Sequence, residues 1–169
     1  MDNVIQKITK TDIYVRYYET DRMKIVHHSN YFRYYELARC DFFIQKVIPY
    51  SVLEEKYFIM SPLLSAYSEF YRPLRFEDVF SVVTFVYDFS DAKIVFGYLG
   101  LYQVNTIDDC GNLILEYLNN GMRKLNRLVC FGKTEHTFVD SKNFKPVRGK
   151  VFIEEKGDTL CNLIRGMRL

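Results

Sequence analysis

The feature that most restricts the fold is one long helical stripe followed almost entirely by strand-like runs. Tyr31, Tyr34, Tyr35, Ala38 and Phe42 fall three and four residues apart, which puts them on one face of a helix. Ser29 and Asn30 stand just ahead of it and can cap it, because their side-chain oxygens accept from first-turn N–H groups that lack an intrahelical partner. The stripe runs on towards Val47, and Pro49 forbids continuation. The expected helix is roughly four to five turns long. A shorter helical piece is expected around Ser51 to Lys56.

Around that helix the chain reads as β. DIYVRYYET (Asp12 to Thr20) is rich in Ile, Val and Tyr, and Ile25–Val26 is a short extended piece. Further strands are expected at Leu64 to Tyr71, Phe76 to Phe89, Lys93 to Asn105 and Arg127 to Asp140, with a turn at Ser90 to Lys93. One helix, then strands joined by short turns, predicts an α+β fold with an antiparallel sheet rather than a parallel α/β one. A single helix covers one face of such a sheet but leaves its edges open, and a homo-oligomer joined edge to edge would close them. Thr106 to Asn126 carries both a helical stripe (Ile114, Leu118, Met122, Leu125) and an Asn-Asn-Gly hairpin signal, and reads as a helical or irregular insertion. The tail from Ser141 ends in TLCNLIRGMRL, a short terminal helix.

Composition removes several function classes. The 169 residues suit one domain, and 49% hydrophobic content fills a sizeable core. A net charge of +2 gives no basic surface for nucleic acid. No apolar run reaches membrane-spanning length, and MDNVIQKITK has no signal-peptide apolar region. Cys40, Cys110, Cys130 and Cys161 form no CxxC pair, so reduced thiols in a cytoplasmic protein are expected rather than a disulfide framework or a zinc site. There is no GxSxG, P-loop or GxGxxG.

Chemistry concentrates in YYETDRMKIVHHSNYFRYYELAR (Tyr17 to Arg39). Asp21 precedes the helix by one turn of chain. It reads either as a turn residue bonding its own backbone or as a catalytic carboxylate beside a helix N-terminus, where free N–H groups can meet an oxyanion. Hydrolysis of an ester or thioester needs both parts. His27 and His28 read as cleft donors; no HExxH or Cys/His spacing supports a metal. Glu36 is a solvated helix charge, a partner for Arg39, or a group that reaches the cleft. Tyr31, Tyr34 and Tyr35 are core in the simplest reading.

The run VRYYETDRMKIVHHSNYFRYYELAR resembles the signature of hot-dog fold acyl-CoA thioesterases of the 4-hydroxybenzoyl-CoA thioesterase type. YRPLRFEDVFSVVTFV (Tyr71 to Val86) and FGKTEHTFVDSKNFKPVR (Phe131 to Arg148) resemble the family's Pro-containing loop with its third strand, and its last strand. The resemblance implies a long central helix wrapped by a curved antiparallel sheet over residues 1–148, with 149–169 an extension forming a short strand and helix. It implies edge-to-edge homodimers, often paired into homotetramers, with the site at the dimer interface. Asp21 matches the catalytic carboxylate, as nucleophile or general base, and the His28 N–H matches the oxyanion donor. Asn30 and Tyr31 match the residues that open the helix. Arg72, Arg75, Lys133 and Arg148 are candidates for the coenzyme A phosphates. Coenzyme A enters as part of the substrate, and no separate cofactor is implied. Lys24 departs from the family, which usually has Gly there.

The expected activity is hydrolysis of an acyl-CoA, fatty or aromatic, to acid and thiol. The alternatives are an acyl carrier protein thioester as substrate, a hot-dog hydratase or dehydratase, and a non-catalytic acyl-binding protein. The second is disfavoured because the helix carries no His after His28.

Overall fold

The computed structural model describes residues 2–90, 93–120, 127–147 and 151–169. Its centre is a five-stranded antiparallel sheet ordered β1 (Ile8–Tyr14), β4 (Val79–Phe89), β5 (Lys93–Tyr102), β6 (Leu128–Thr137) and β3 (Leu63–Phe70). Helix α2 (Ser29–Lys46) lies across one face. It buries the predicted stripe, with Phe43 added. Tyr35 stacks on Tyr98 of β5 at 4.6 Å, Phe42 meets Phe96 edge-on, and Phe43 meets it tilted. Each such ring, removed from water, contributes about 1.5–3 kcal/mol. Helix α3 (Tyr50–Glu55) follows Pro49, and its lone buried side chain is Leu53.

The second face is also covered. Helix α4 (Ile107–Asn120) is the described part of the insertion, and the helical reading holds there; Gly121, Met122 and Leu125 of the two competing signals lie outside the described residues. Thr106 and Asp109 cap it reciprocally: each backbone N–H donates to the other's side-chain oxygen. Cys110 and Ile114 then pack against Val83, Phe85, Leu99 and Phe131, with Val4 of the short helix α1 (Asp2–Ile5) alongside. This explains why β5 is buried on both sides.

Strand boundaries differ from expectation at β1. It runs Ile8–Tyr14 rather than Asp12 to Thr20, and a 3₁₀ turn at Tyr17–Glu19 follows it. The cause is a tertiary bond that no local pattern reveals. The Glu19 carboxylate turns inward, accepting from the Arg16 N–H at 2.7 Å and the Tyr34 hydroxyl at 2.8 Å. The extension is integral to the core. After β2 (Ile59–Met60) pairs with β7 (Val139–Asp140), the chain forms β8 (Phe152–Ile153), β9 (Asp158–Thr159) and α5 (Leu160–Gly166). Ile153, Leu160 and Ile164 join the α2 cluster. Lys56 pairs with both Glu154 and Glu155, at 2.7 and 2.8 Å.

One buried polar chain sits beneath α2. His136 Nδ1–H donates to the Ser61 carbonyl at 3.3 Å, so Nε2 accepts from the Thr134 hydroxyl at 2.9 Å, which in turn accepts from Tyr98 at 2.7 Å. Burial pushes the His136 pKa from 6.5 to about 4. The folded state therefore binds fewer protons than the unfolded one between those values. The stabilisation is complete above pH 6.5 and is lost as pH falls towards 4. Unfolding by urea should show about 2 kcal/mol less stability at pH 5 than at pH 7 from this group. His136→Gln should flatten that limb; an unchanged limb would contradict the assignment.

Candidate active site

The link from β1 to α2 is a tight loop. Asp21 N–H donates to the Ile25 carbonyl and Lys24 N–H to the Asp21 carbonyl, each at 2.9 Å, and Thr20 bridges Val26. Lys24 closes the turn at φ 61°, the left-handed region that glycine enters most easily. The turn thus keeps a glycine-type backbone although the residue is Lys. The turn reading of Asp21 holds, and it leaves one carboxylate oxygen over. Its Oδ1 accepts from the Met23 N–H at 2.7 Å, as a turn aspartate does, while Oδ2 has no partner among the described residues.

The approach to the helix is fixed by Asn30 rather than capped by it. Asn30 is buried, and its side-chain amide donates to the Glu19 carbonyl at 2.7 Å. Glu19 also accepts from the His27 N–H at 2.9 Å. The N-cap is His28, without a side-chain cap bond, so the expected Ser29/Asn30 capping does not occur. Asn30 and Tyr31 N–H groups bond to the His27 and His28 carbonyls. Among the described residues nothing accepts from the His28 N–H.

Asp21 and His28 line one cavity of about 300 Å³ with Ile25, Val26, Tyr31, Phe70, Tyr71, Arg72 and Pro73. Tyr31 sits edge-on to Phe70 at 4.7 Å, and burial raises its pKa, so its phenol stays protonated. Asp21, His28 and the cationic Arg72 therefore line one opening. Phe70, Tyr71 and Pro73 are lining residues that the sequence does not single out; from the Pro-containing loop it offers only Arg72 and Arg75.

The other candidates lie elsewhere. His27 is exposed, bonded through Nδ1 to the Ser29 hydroxyl at 2.8 Å and tilted against the His28 ring at 4.1 Å, outside the cavity lining. Asn30 positions the loop and does not line the opening. Arg75 is exposed beyond Pro73, its N–H bound to Asp78 at 2.7 Å. Lys133 is on the wrong side of the sheet: its ammonium lies 3.7 Å over the Tyr87 ring and also faces Phe131, on the α4 side, because strand side chains alternate. Glu36 lines a second pocket further along α2, and no ion pair joins it to Arg39. Arg148 lies outside the described residues. Among the described residues no His, Cys, Asp and Glu cluster could hold a metal. No helix among them is long and apolar enough to cross a membrane.

The model of the thioesterase-like superfamily matches residues 15–153. The chain belongs to the thioesterase-like superfamily. This superfamily member is 28% identical to YneP of Bacillus subtilis (strain 168), provisionally named an acyl-CoA thioesterase, over 83% of this chain and 86% of that protein. A provisional esterase of Aquifex aeolicus (strain VF5) is 44% identical over 85 residues, half of this chain and 66% of that protein. In structure the chain resembles the DHNA-CoA thioesterase of Staphylococcus aureus, with a TM-score of 0.69 at 24% identity, covering 88% of this chain and 85% of that one. The fold is the hot-dog fold, and the superfamily member is a thioesterase-type hydrolase.

Proposed function

We propose that the protein hydrolyses acyl-CoA thioesters to a free acid and coenzyme A, at the cavity shared by Asp21 and the amino end of α2. The single observation carrying this is that shared cavity, with one oxygen of Asp21 and the His28 N–H both uncommitted. The thioester carbonyl oxygen accepts from the His28 N–H, a donor worth about 3 kcal/mol of barrier. Asp21 either attacks the carbonyl carbon, giving an anhydride that water cleaves, or takes a proton from the attacking water. In both cases the C–S bond breaks and coenzyme A leaves as its thiol. Arg72 at the rim meets phosphate. The four cysteines are unpaired thiols, which supports a cytoplasmic setting. The test is a panel of acyl-CoAs with free-thiol detection, beside an acyl carrier protein thioester. Thiol release from acyl-CoA is expected. Hydration without thiol, or binding without turnover, would overturn the reading.

The same proposal includes a homodimer joined at β3. That strand is at the sheet edge, and Leu63, Leu64, Tyr67 and Phe70 along it are each about half exposed. An unpaired apolar edge invites pairing with a second copy. The α4 cover leaves no bare sheet face for a further pairing, which favours the dimer over the tetramer. A two-fold axis at mid-strand places Ala66 and Tyr67 of one copy beside the same residues of the other. The double variant Ala66→Asp, Tyr67→Asp should shift light scattering from dimer to monomer, by tenfold or more in dissociation constant. Wild type running as a monomer would contradict the interface.

A further inference from the structure

A second pocket lies on the α2 face at the other end of β3. It measures about 220 Å³ and is lined by Phe32, Arg33, Glu36, Arg39, Leu63 and His136, among others. Its polar floor is already satisfied: His136 and Thr134 spend their bonds on Ser61, Tyr98 and each other. Arg39 is different. Half-buried, it donates to the Tyr50 hydroxyl at 2.6 Å, lies 5.1 Å from that ring and has the Tyr98 hydroxyl as a second phenol neighbour. Among the described residues no carboxylate pairs with it, although Glu36 lines the same pocket. A guanidinium has five donors in a fixed fork, matched to a carboxylate. With Arg33, Glu36 and Arg39 around it, the pocket carries one excess positive charge.

The dimer gives this pocket a neighbour. β3 has eight residues, Leu63–Phe70. Antiparallel pairing of β3 with its copy about a two-fold axis brings the Leu63 end of one strand beside the partner's Phe70 end. Leu63 lines the Arg39 pocket and Phe70 lines the Asp21 cavity. Both pockets open on the α2 face, so across the axis each Asp21 cavity adjoins the other copy's Arg39 pocket. Within one chain the two ends of β3 are about 23 Å apart.

We infer that Arg39 of one subunit receives a carboxylate at the far end of the acyl group cleaved by Asp21 of the other, so the favoured substrates are monothioesters of dicarboxylic acids. This rests on the hydrolase and dimer readings above. Succinyl-, glutaryl-, adipoyl- and suberoyl-CoA are compared with the monocarboxylic acyl-CoA of equal length. Wild type should favour the best dicarboxylic member tenfold or more in kcat/KM over its methyl-ended analogue, and Arg39→Gln should reduce that ratio to near one, with Arg39→Lys between them. Thiol release without such a preference in wild type overturns the inference and leaves the hydrolase reading standing. The same comparison is made for binding to Asp21→Ala by calorimetry. An Arg39-dependent preference there, without thiol release from any substrate by wild type, would keep the pocket and overturn the hydrolase instead. Subunit mixing decides the geometry. Random pairing of Asp21→Ala with Arg39→Gln subunits makes half the dimers mixed, each with one intact site, so about a quarter of wild-type activity on the dicarboxylic substrate should return. Activity no greater than the mean of the two parent dimers would place both residues in one subunit's site, contrary to the inference.

Discussion

Asp21→Ala should reduce thiol release from every accepted acyl-CoA by about a thousandfold or more, with the fold intact. The size follows from role: removing a nucleophile or a positioned base leaves only the oxyanion donor and binding to accelerate the reaction. The fold should survive because the side chain makes one local bond, to the Met23 N–H, and the loop is held by backbone pairs to Ile25 and Val26 and by Asn30 on Glu19. Loss of that one bond costs about 1 kcal/mol. A circular dichroism spectrum and urea midpoint near wild type, alongside absent thiol release, is the expected pair of results. Substantial activity remaining on all substrates would contradict the role.

Gly132→Ala should be the most damaging of the conservative core changes. Gly132 lies on β6 under the Tyr35 ring, and a Cβ there would come within 2.3 Å of that ring. The ring has nowhere to go. It is stacked on Tyr98 at 4.6 Å, its hydroxyl is bonded to Ser68 at 2.7 Å, and both rings are fully buried. Overpacking of this kind costs about 3 kcal/mol, near 10 °C in Tm for a chain of this size. Because α2 carries His28 at its start, a shift of Tyr35 also displaces the N–H proposed to meet the oxyanion, and kcat should fall with stability. Tm within a few degrees of wild type would show that the helix can lift without cost.

The long helix was legible because its evidence is local: a stripe at spacings of three and four, ended by Pro49. The strands were legible in type but not in end-points. β1 stops at Tyr14 because Glu19 is drawn inward by Tyr34, fifteen residues away, and no local pattern carries that bond. The helix cap failed for a related reason. Asn30 is a good cap by residue type, yet its side-chain NH2 donates to the buried Glu19 carbonyl, and that bond fixes the side chain in the loop rather than over the first-turn N–H groups. Within Ile107–Asn120 the helical signal prevails, because the sheet offers Cys110 and Ile114 a face to bury against.

The site was half legible. Asp21 and His28 are seven residues apart, so one turn and one helix start bring them together. The opposite wall, Phe70 to Pro73, is some fifty residues on and reaches the cavity only through the sheet. Lys133 shows the matching error. Its strand alternates faces with Gly132, Thr134 and His136, but alternation alone does not say which set looks towards α2.

The most direct test is a crystal structure of Asp21→Asn, slowed enough to hold an intact acyl-CoA. The thioester oxygen should lie about 2.7–3.1 Å from the His28 backbone nitrogen, with the carbonyl carbon facing the substituted side chain. A thioester bound away from this cavity, or turned so that its oxygen misses the start of α2, would contradict the account.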